Sequence, residues 1–146
     1  MSSLEAEFRR AWARALAPHV KLLEYMSTMA KAGVPDVHTL VDGDGGRAIW
    51  CELKAFAHWP KSPEANVLEH RFTGPQLAFM RRVDRAHGRG LGVVGFKRDG
   101  RWCCVVLRAH CIGVQGTVSR AEIERHRPLV IDGLFASHWA TLVRRL

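Results

Sequence analysis

The chain has 146 residues, 47% of them hydrophobic and 25% charged, and 22 Lys and Arg against 14 Asp and Glu leave it a net charge of +8. That length supports one ordinary domain, 1–146, and the composition is that of a packed globular core, not of a disordered or fibrous chain. No apolar run approaches a bilayer span, and residues 1–16 carry acids and arginines where a leader peptide has its apolar stretch, so a cytoplasmic protein with no membrane partner is expected.

Ser2 and Glu5 have the capping-box spacing, and Leu4, Phe8, Ala11, Trp12 and Ala15 recur at helical intervals, which predicts a helix over residues 3–16 ended by Pro18. The apolar run within His19–Ser27 reads as a strand in preference to a short helix. Val34–Asp42 and Arg47–Phe56 are two β-rich segments facing each other across Asp42-Gly43-Asp44-Gly45-Gly46, a β-hairpin; the later acids of a calcium-binding EF-hand loop are missing. Residues 57–72 hold Pro60 and Pro63, show no sustained period and form a long loop of the kind that often carries function. Thr73 and Gln76 repeat the capping-box spacing, and Leu77, Phe79, Met80 and Val83 mark a helix that stops near Gly88. Strands at Leu91–Lys97 and Trp102–Arg108 follow, joined at Asp99-Gly100, then a helix capped by Ser119 with Glu122 and a last one near Phe135–Leu146. This order predicts an α/β fold, a mixed β-sheet flanked by helices.

The four cysteines, Cys51, Cys103, Cys104 and Cys111, read as reduced thiols, mostly buried in strands. A zinc site assembled from Cys103, Cys104, His110 and Cys111 is disfavoured, because adjacent strand residues point to opposite faces. The positive excess favours a polyanion such as nucleic acid, although arginines such as Arg9, Arg10, Arg14, Arg81, Arg82, Arg85, Arg144 and Arg145 also suit solvated helix faces.

The chemistry concentrates in Gly33-Val34-Pro35-Asp36 and, after the hairpin turn, Glu52-Leu53-Lys54. Strand alternation sets Ile49, Cys51, Leu53 and Ala55 on one apolar face and Glu52 and Lys54 side by side on the other, where the bend at Pro35 can bring Asp36 beside them. Two carboxylates and a lysine meet the needs of phosphodiester hydrolysis: hard oxygen ligands for Mg²⁺ and a cation near the attacking water and the developing charge. An exposed Glu-Lys pair and an acidic turn residue, common in any soluble protein, account for the same residues without chemistry.

Gly33–Lys54, together with Phe72-Thr73-Gly74-Pro75-Gln76, resembles the phage-type branch of the PD-(D/E)XK nucleases, close to the virus-type replication and repair (VRR-NUC) nucleases, over roughly residues 5–107. A GxPD turn, a strand ending in W-x-E-L-K and a helix opening with T-x-x-Q follow in that order, and Trp50–Lys54 and Trp59-Pro60-Lys61 are the more specific parts. The resemblance implies a restriction-endonuclease-like fold and a DNA endonuclease. It implies Mg²⁺, or Mn²⁺ in its place, bound by Asp36, Glu52 and the backbone carbonyl of Leu53, with Lys54 catalytic. It also implies a glutamate from the first helix near the metal, for which Glu5 is the nearest match and equally the capping partner of Ser2; Glu7 and Glu24 are further acids of that region.

The resemblance places Gln76 near the active site, contacting substrate or a metal-bound water, while its spacing makes it the cap partner of Thr73, and the two roles are compatible. Lys61, His70 and Arg71 are candidate phosphate contacts, and Trp59 either stacks on a base or anchors its loop. The expected partner is DNA, branched or duplex, with Holliday junctions, flaps and restriction-like sites all open. A homodimer through Phe135, Trp139, Leu142, Val143 and Leu146 is one option, packing of that stripe on its own sheet the other. A basic binding domain of the same fold without activity is the alternative.

Overall fold

The helical spacing at the N-terminus becomes α1, Ser3–Leu16, in a computed structural model that describes residues 3–20, 22–25, 37–40, 48–68, 71–131 and Trp139. Phe8, Trp12 and Leu16 recur every fourth residue and are each 0% exposed, while Arg10 and Arg14 on the far side stay in solvent. Pro18 lies in the 3₁₀ turn Ala17–His19 that closes the helix.

Three strands then form an antiparallel meander: β1, Leu22–Tyr25, β2, Val37–Leu40, and β3, Ala48–Ala55. The expected hairpin is present as the β2/β3 pair, with Leu40 opposite Ala48 and Val37 opposite Cys51. Its turn and the Gly33–Asp36 stretch lie outside the described residues. Helix α2, Gly74–Arg85, carries the chain back so that β4, Arg89–Arg98, runs parallel to β3 with Glu52 opposite Gly92. Strand β5, Arg101–Arg108, returns antiparallel through Asp99 and Gly100, whose φ of 51° and 73° are the left-handed pair a two-residue hairpin turn requires. Helix α3, Arg120–Arg125, begins where Ser119 Oγ accepts from the Glu122 amide, and the two-residue β6, Leu129–Val130, completes the sheet. The six strands lie in chain order, with β3 and β4 the one parallel pair among them, so the expected mixed sheet between helices is present.

Alternation divides the apolar residues into two layers. Ile49, Cys51, Leu53 and Ala55 of β3, Leu91 and Val93 of β4 and Cys104 and Val106 of β5 pack under α1. Phe56, Val94, Phe96, Cys103, Val105 and Leu107 face the other way, toward α2, α3 and the loop residues Leu68 and Phe72. Cys103 and Cys104 therefore end in different layers, which removes the grouping of both with Cys111. Both helices approach β4 closely at glycines. A Cβ on Gly90 would sit 2.4 Å from the Met80 carbonyl of α2, and one on Gly95 would sit 2.5 Å from the Phe8 ring of α1.

The last predicted helix falls outside the described residues except for Trp139, which is helical, 1% exposed and edge-on to Trp12 at 5.7 Å. Trp139 thus packs within its own chain, and the apolar stripe loses its largest residue as a dimer surface. No helix among the described residues is long and apolar enough to cross a membrane.

Candidate active site around Glu52

Glu52 is the one charged side chain fully buried among the described residues, 1% exposed at the centre of the sheet. Lys54 Nζ donates to its Oε1 at 2.6 Å, as neighbours two apart on one strand face can, and Gln76 Nε2 donates to the same oxygen at 2.6 Å from α2. The expected side-by-side pair is therefore present and is joined by a residue distant in sequence.

Helix α2 reaches Glu52 because it lies along β3. Phe79 meets Trp50 edge-on at 5.3 Å, Gln76 meets Glu52, and the Phe72 ring just before the helix lies 5.9 Å from Lys54 Nζ. The capping box sets the orientation of the Gln76 amide. Its Oε1 accepts from the Thr73 amide at 2.9 Å while Thr73 Oγ1 accepts from the Gln76 amide at 3.3 Å, so the NH₂ end is the one left to face the carboxylate. The cap and the hydrogen bond to Glu52 therefore use opposite ends of one amide. Beside Glu52 in register, Gly92 offers no side chain, and a Cβ there would come within 3.0 Å of the Phe72 ring. Glycine on β4 thus admits the aromatic wall of the site.

Taking a carboxylate out of water costs several kcal/mol, and its two charge-assisted hydrogen bonds return about 1.5–3 kcal/mol each, so this cluster stabilises the fold little more than well-packed apolar side chains would. The backbone of Phe56 bonds toward β4, its amide donating to Gly95 O at 3.1 Å, so alternation turns the backbone groups of Leu53 toward the opposite edge of β3, the side from which β2 enters.

The remaining candidates spread out. Asp36 and His70 lie outside the described residues. Glu5, half-buried, sits in the first turn of α1, on the helix covering the opposite face of the sheet from Glu52, and Glu7 there forms an ion pair with Lys97. The hydrogen bond from Lys97 keeps the Glu7 carboxyl below its usual range. Glu24 is exposed on β1, and Lys61 and Arg71 are exposed in the loop.

Trp59 anchors its loop. Its ring packs 5.0 Å from Phe96 and 6.0 Å from Phe56, with the guanidinium groups of Arg98 and Arg120 at 5.3 and 5.7 Å. Arg120 also donates to the Pro60 and Lys61 carbonyls at 3.0 and 2.8 Å, and the Val67 amide donates to Val118 O at 2.8 Å, tying the loop to the start of α3. These long-range partners leave no mark in the local sequence.

One grouping escaped sequence reasoning. Cys111, Glu122 and His126 bring a thiol, a carboxylate and an imidazole within 4.8 Å of one another. The four-residue spacing of Glu122 and His126 on one helix face was the available signal; Cys111 lies too far along the chain to join it by pattern. No protein-family description matches the chain, and no curated protein matches it.

Proposed function

We propose that the chain is a divalent-metal-dependent DNA endonuclease with the restriction-endonuclease-like fold of the PD-(D/E)XK nucleases. The observation that carries this reading is the buried Glu52 carboxylate held between Lys54 and Gln76 on β3. Two features support the fold: a mixed sheet between helices, and the charged pair on the strand where antiparallel pairing gives way to parallel. Exposed Arg81, Arg82 and Arg85 on α2, with Lys61 and Arg71 in the loop, supply the positive surface a phosphate backbone needs.

The donor set fits a hard cation. Glu52 offers carboxylate oxygen and Leu53 a backbone carbonyl; Asp36 directly precedes Val37, which is registered with Cys51, the residue before Glu52. When bound, Mg²⁺ or Mn²⁺ supplies polarisation of the phosphate and activation of water. The protein's own residues do the rest. Lys54, only partly buried, presents a positive charge at the edge of the site, where it orients water or offsets charge on the scissile phosphate. Gln76 holds Glu52 in place through α2, and the Phe72 ring keeps water from the inner side of the pair. Branched DNA such as a Holliday junction is the proposed substrate, and resolving it through two related copies needs an interface other than Trp139.

The test is a cleavage panel of four-way junction, flap, nicked, duplex and single-stranded DNA with Mg²⁺, run on the wild type and on Glu52→Gln. Cleavage that vanishes in EDTA and in the variant, with DNA binding in Ca²⁺ retained, is the expected result. Equal rates in EDTA, or a Glu52→Gln protein that cuts normally, would refute the proposal. Binding with no cleavage of any substrate would establish the non-catalytic reading instead.

A further inference from the structure

We propose a second, chemically distinct metal position: a zinc-class site made by Cys111, Glu122 and His126, where the 3₁₀ turn after β5 meets α3. Cys111 ends the 3₁₀ turn Ala109–Cys111 that follows β5, while Glu122 and His126 are four apart on α3 and its C-cap. One sulfur, one nitrogen and one carboxylate oxygen converge within 4.8 Å, all from half-buried residues, so the group is shielded yet reachable from solvent.

The donor types select the ion. Thiolate and imidazole favour borderline-soft divalent ions and are poor ligands for Mg²⁺, whereas Glu52 and the Leu53 carbonyl offer oxygen alone. Tetrahedral zinc bonds of about 2.0–2.3 Å place ligand atoms ~3.5 Å apart. The separation of 3.1 Å between Glu122 Oε1 and His126 Nε2 is already close to that, and the thiol, within 4.8 Å of both groups, needs about 1 Å of closure at most to join them. The ion would sit between the imidazole and the carboxylate, and three protein ligands leave a fourth position for water.

Arg125 engages Oε1 of Glu122 and is the competitor an incoming ion must displace or share. Because the helix cap uses the Glu122 amide and not its side chain, replacing the carboxylate leaves the start of α3 intact. Bound metal would staple the end of β5 to α3.

Titration of the full chain with Co²⁺, followed by competition with Zn²⁺, tests the site. One equivalent should produce a near-ultraviolet thiolate-to-cobalt charge-transfer band and tetrahedral visible absorption, both displaced by Zn²⁺. The charge-transfer band should be lost in Cys111→Ser. Glu122→Gln and His126→Gln should weaken binding by more than the ~10–100-fold that loss of an outer-sphere partner costs. The charge-transfer band should be unchanged in Glu52→Gln, which removes an oxygen ligand and no thiolate. Absence of the band at stoichiometric Co²⁺ overturns the proposal, as does a band that survives in Cys111→Ser or wild-type affinity in His126→Gln.

Discussion

Lys54→Met isolates what the lysine does for the buried carboxylate. The substitution keeps the length of the side chain and removes its charge beside Glu52, 2% exposed at the side chain, while Gln76 still donates from α2. Breaking a buried pair by removing one partner costs about 3–5 kcal/mol. The lower end applies here, ~3 kcal/mol, because Gln76 persists and because Lys54 is itself 12% exposed. With a urea dependence of ~1.5 kcal/mol per M, the unfolding midpoint should fall by about 2 M. Glu52→Gln should cost less, ~1 kcal/mol, since the amide still accepts from Gln76 and the lysine can turn to solvent. In the double variant Glu52→Gln/Lys54→Met the losses should be clearly less than additive, because no unpaired charge remains buried. Urea unfolding followed by tryptophan fluorescence measures all three. A Lys54→Met protein within ~0.5 kcal/mol of wild type would show that the ion pair does not hold the carboxylate, and the account of the site would fail.

Gly90→Ala should destabilise by about 1–3 kcal/mol in thermal or urea unfolding, since its Cβ meets the α2 backbone at Met80, which cannot rotate away. Thr73→Ala should cost ~1 kcal/mol, because the Gln76 backbone amide loses its Oγ1 acceptor, yet leave cleavage near wild type, because the backbone amide at position 73 still holds Gln76 Oε1; a large loss of rate would show that the hydroxyl itself sets the Gln76 side chain. Native thiol alkylation read by mass spectrometry should modify Cys111 first, because Cys51, Cys103 and Cys104 are buried and burial raises the thiol pKa of Cys103 and, further, of Cys104. The stabilisation from Glu122, whose carboxyl is lowered in the fold, should be present at neutral pH and be lost as pH falls below about 4, so wild type and Glu122→Gln should converge in acid unfolding.

Much of the architecture was legible where short-range rules decide it. The Leu4, Phe8, Ala11, Trp12, Ala15 stripe, the Thr73/Gln76 and Ser119/Glu122 caps and the Asp99-Gly100 turn are each fixed within a few residues, and the elements they announce are present. Strand alternation also sufficed to set Glu52 beside Lys54 and to send Cys103 and Cys104 to different layers. The two-residue β6 is too short for any period, and only its pairing with β5 defines it. The hydrogen bond of Gln76 to Glu52 spans 24 residues and depends on how a helix meshes with a strand of different repeat, which no local pattern contains. Trp59 shows the same limit: whether an aromatic in a loop faces a ligand or its own chain depends on Arg98 and Arg120, which arrive from β4 and α3.

The alternation along β3 has a consequence for how such a sequence can change over generations. Between Ile49 and Ala55 every odd position supplies the layer under α1 and every even one from Trp50 faces α2, with the charged pair among them. Outside the charged pair, substitutions there can be absorbed one at a time. An inserted or deleted codon cannot, because a slip of one residue would drive a carboxylate and an ammonium into the layer under α1 and turn Cys51 and Leu53 toward Gln76. The segment should therefore accept changes of side chain but resist any change of length, and variation in length should collect instead in the turn before it and the loop after it.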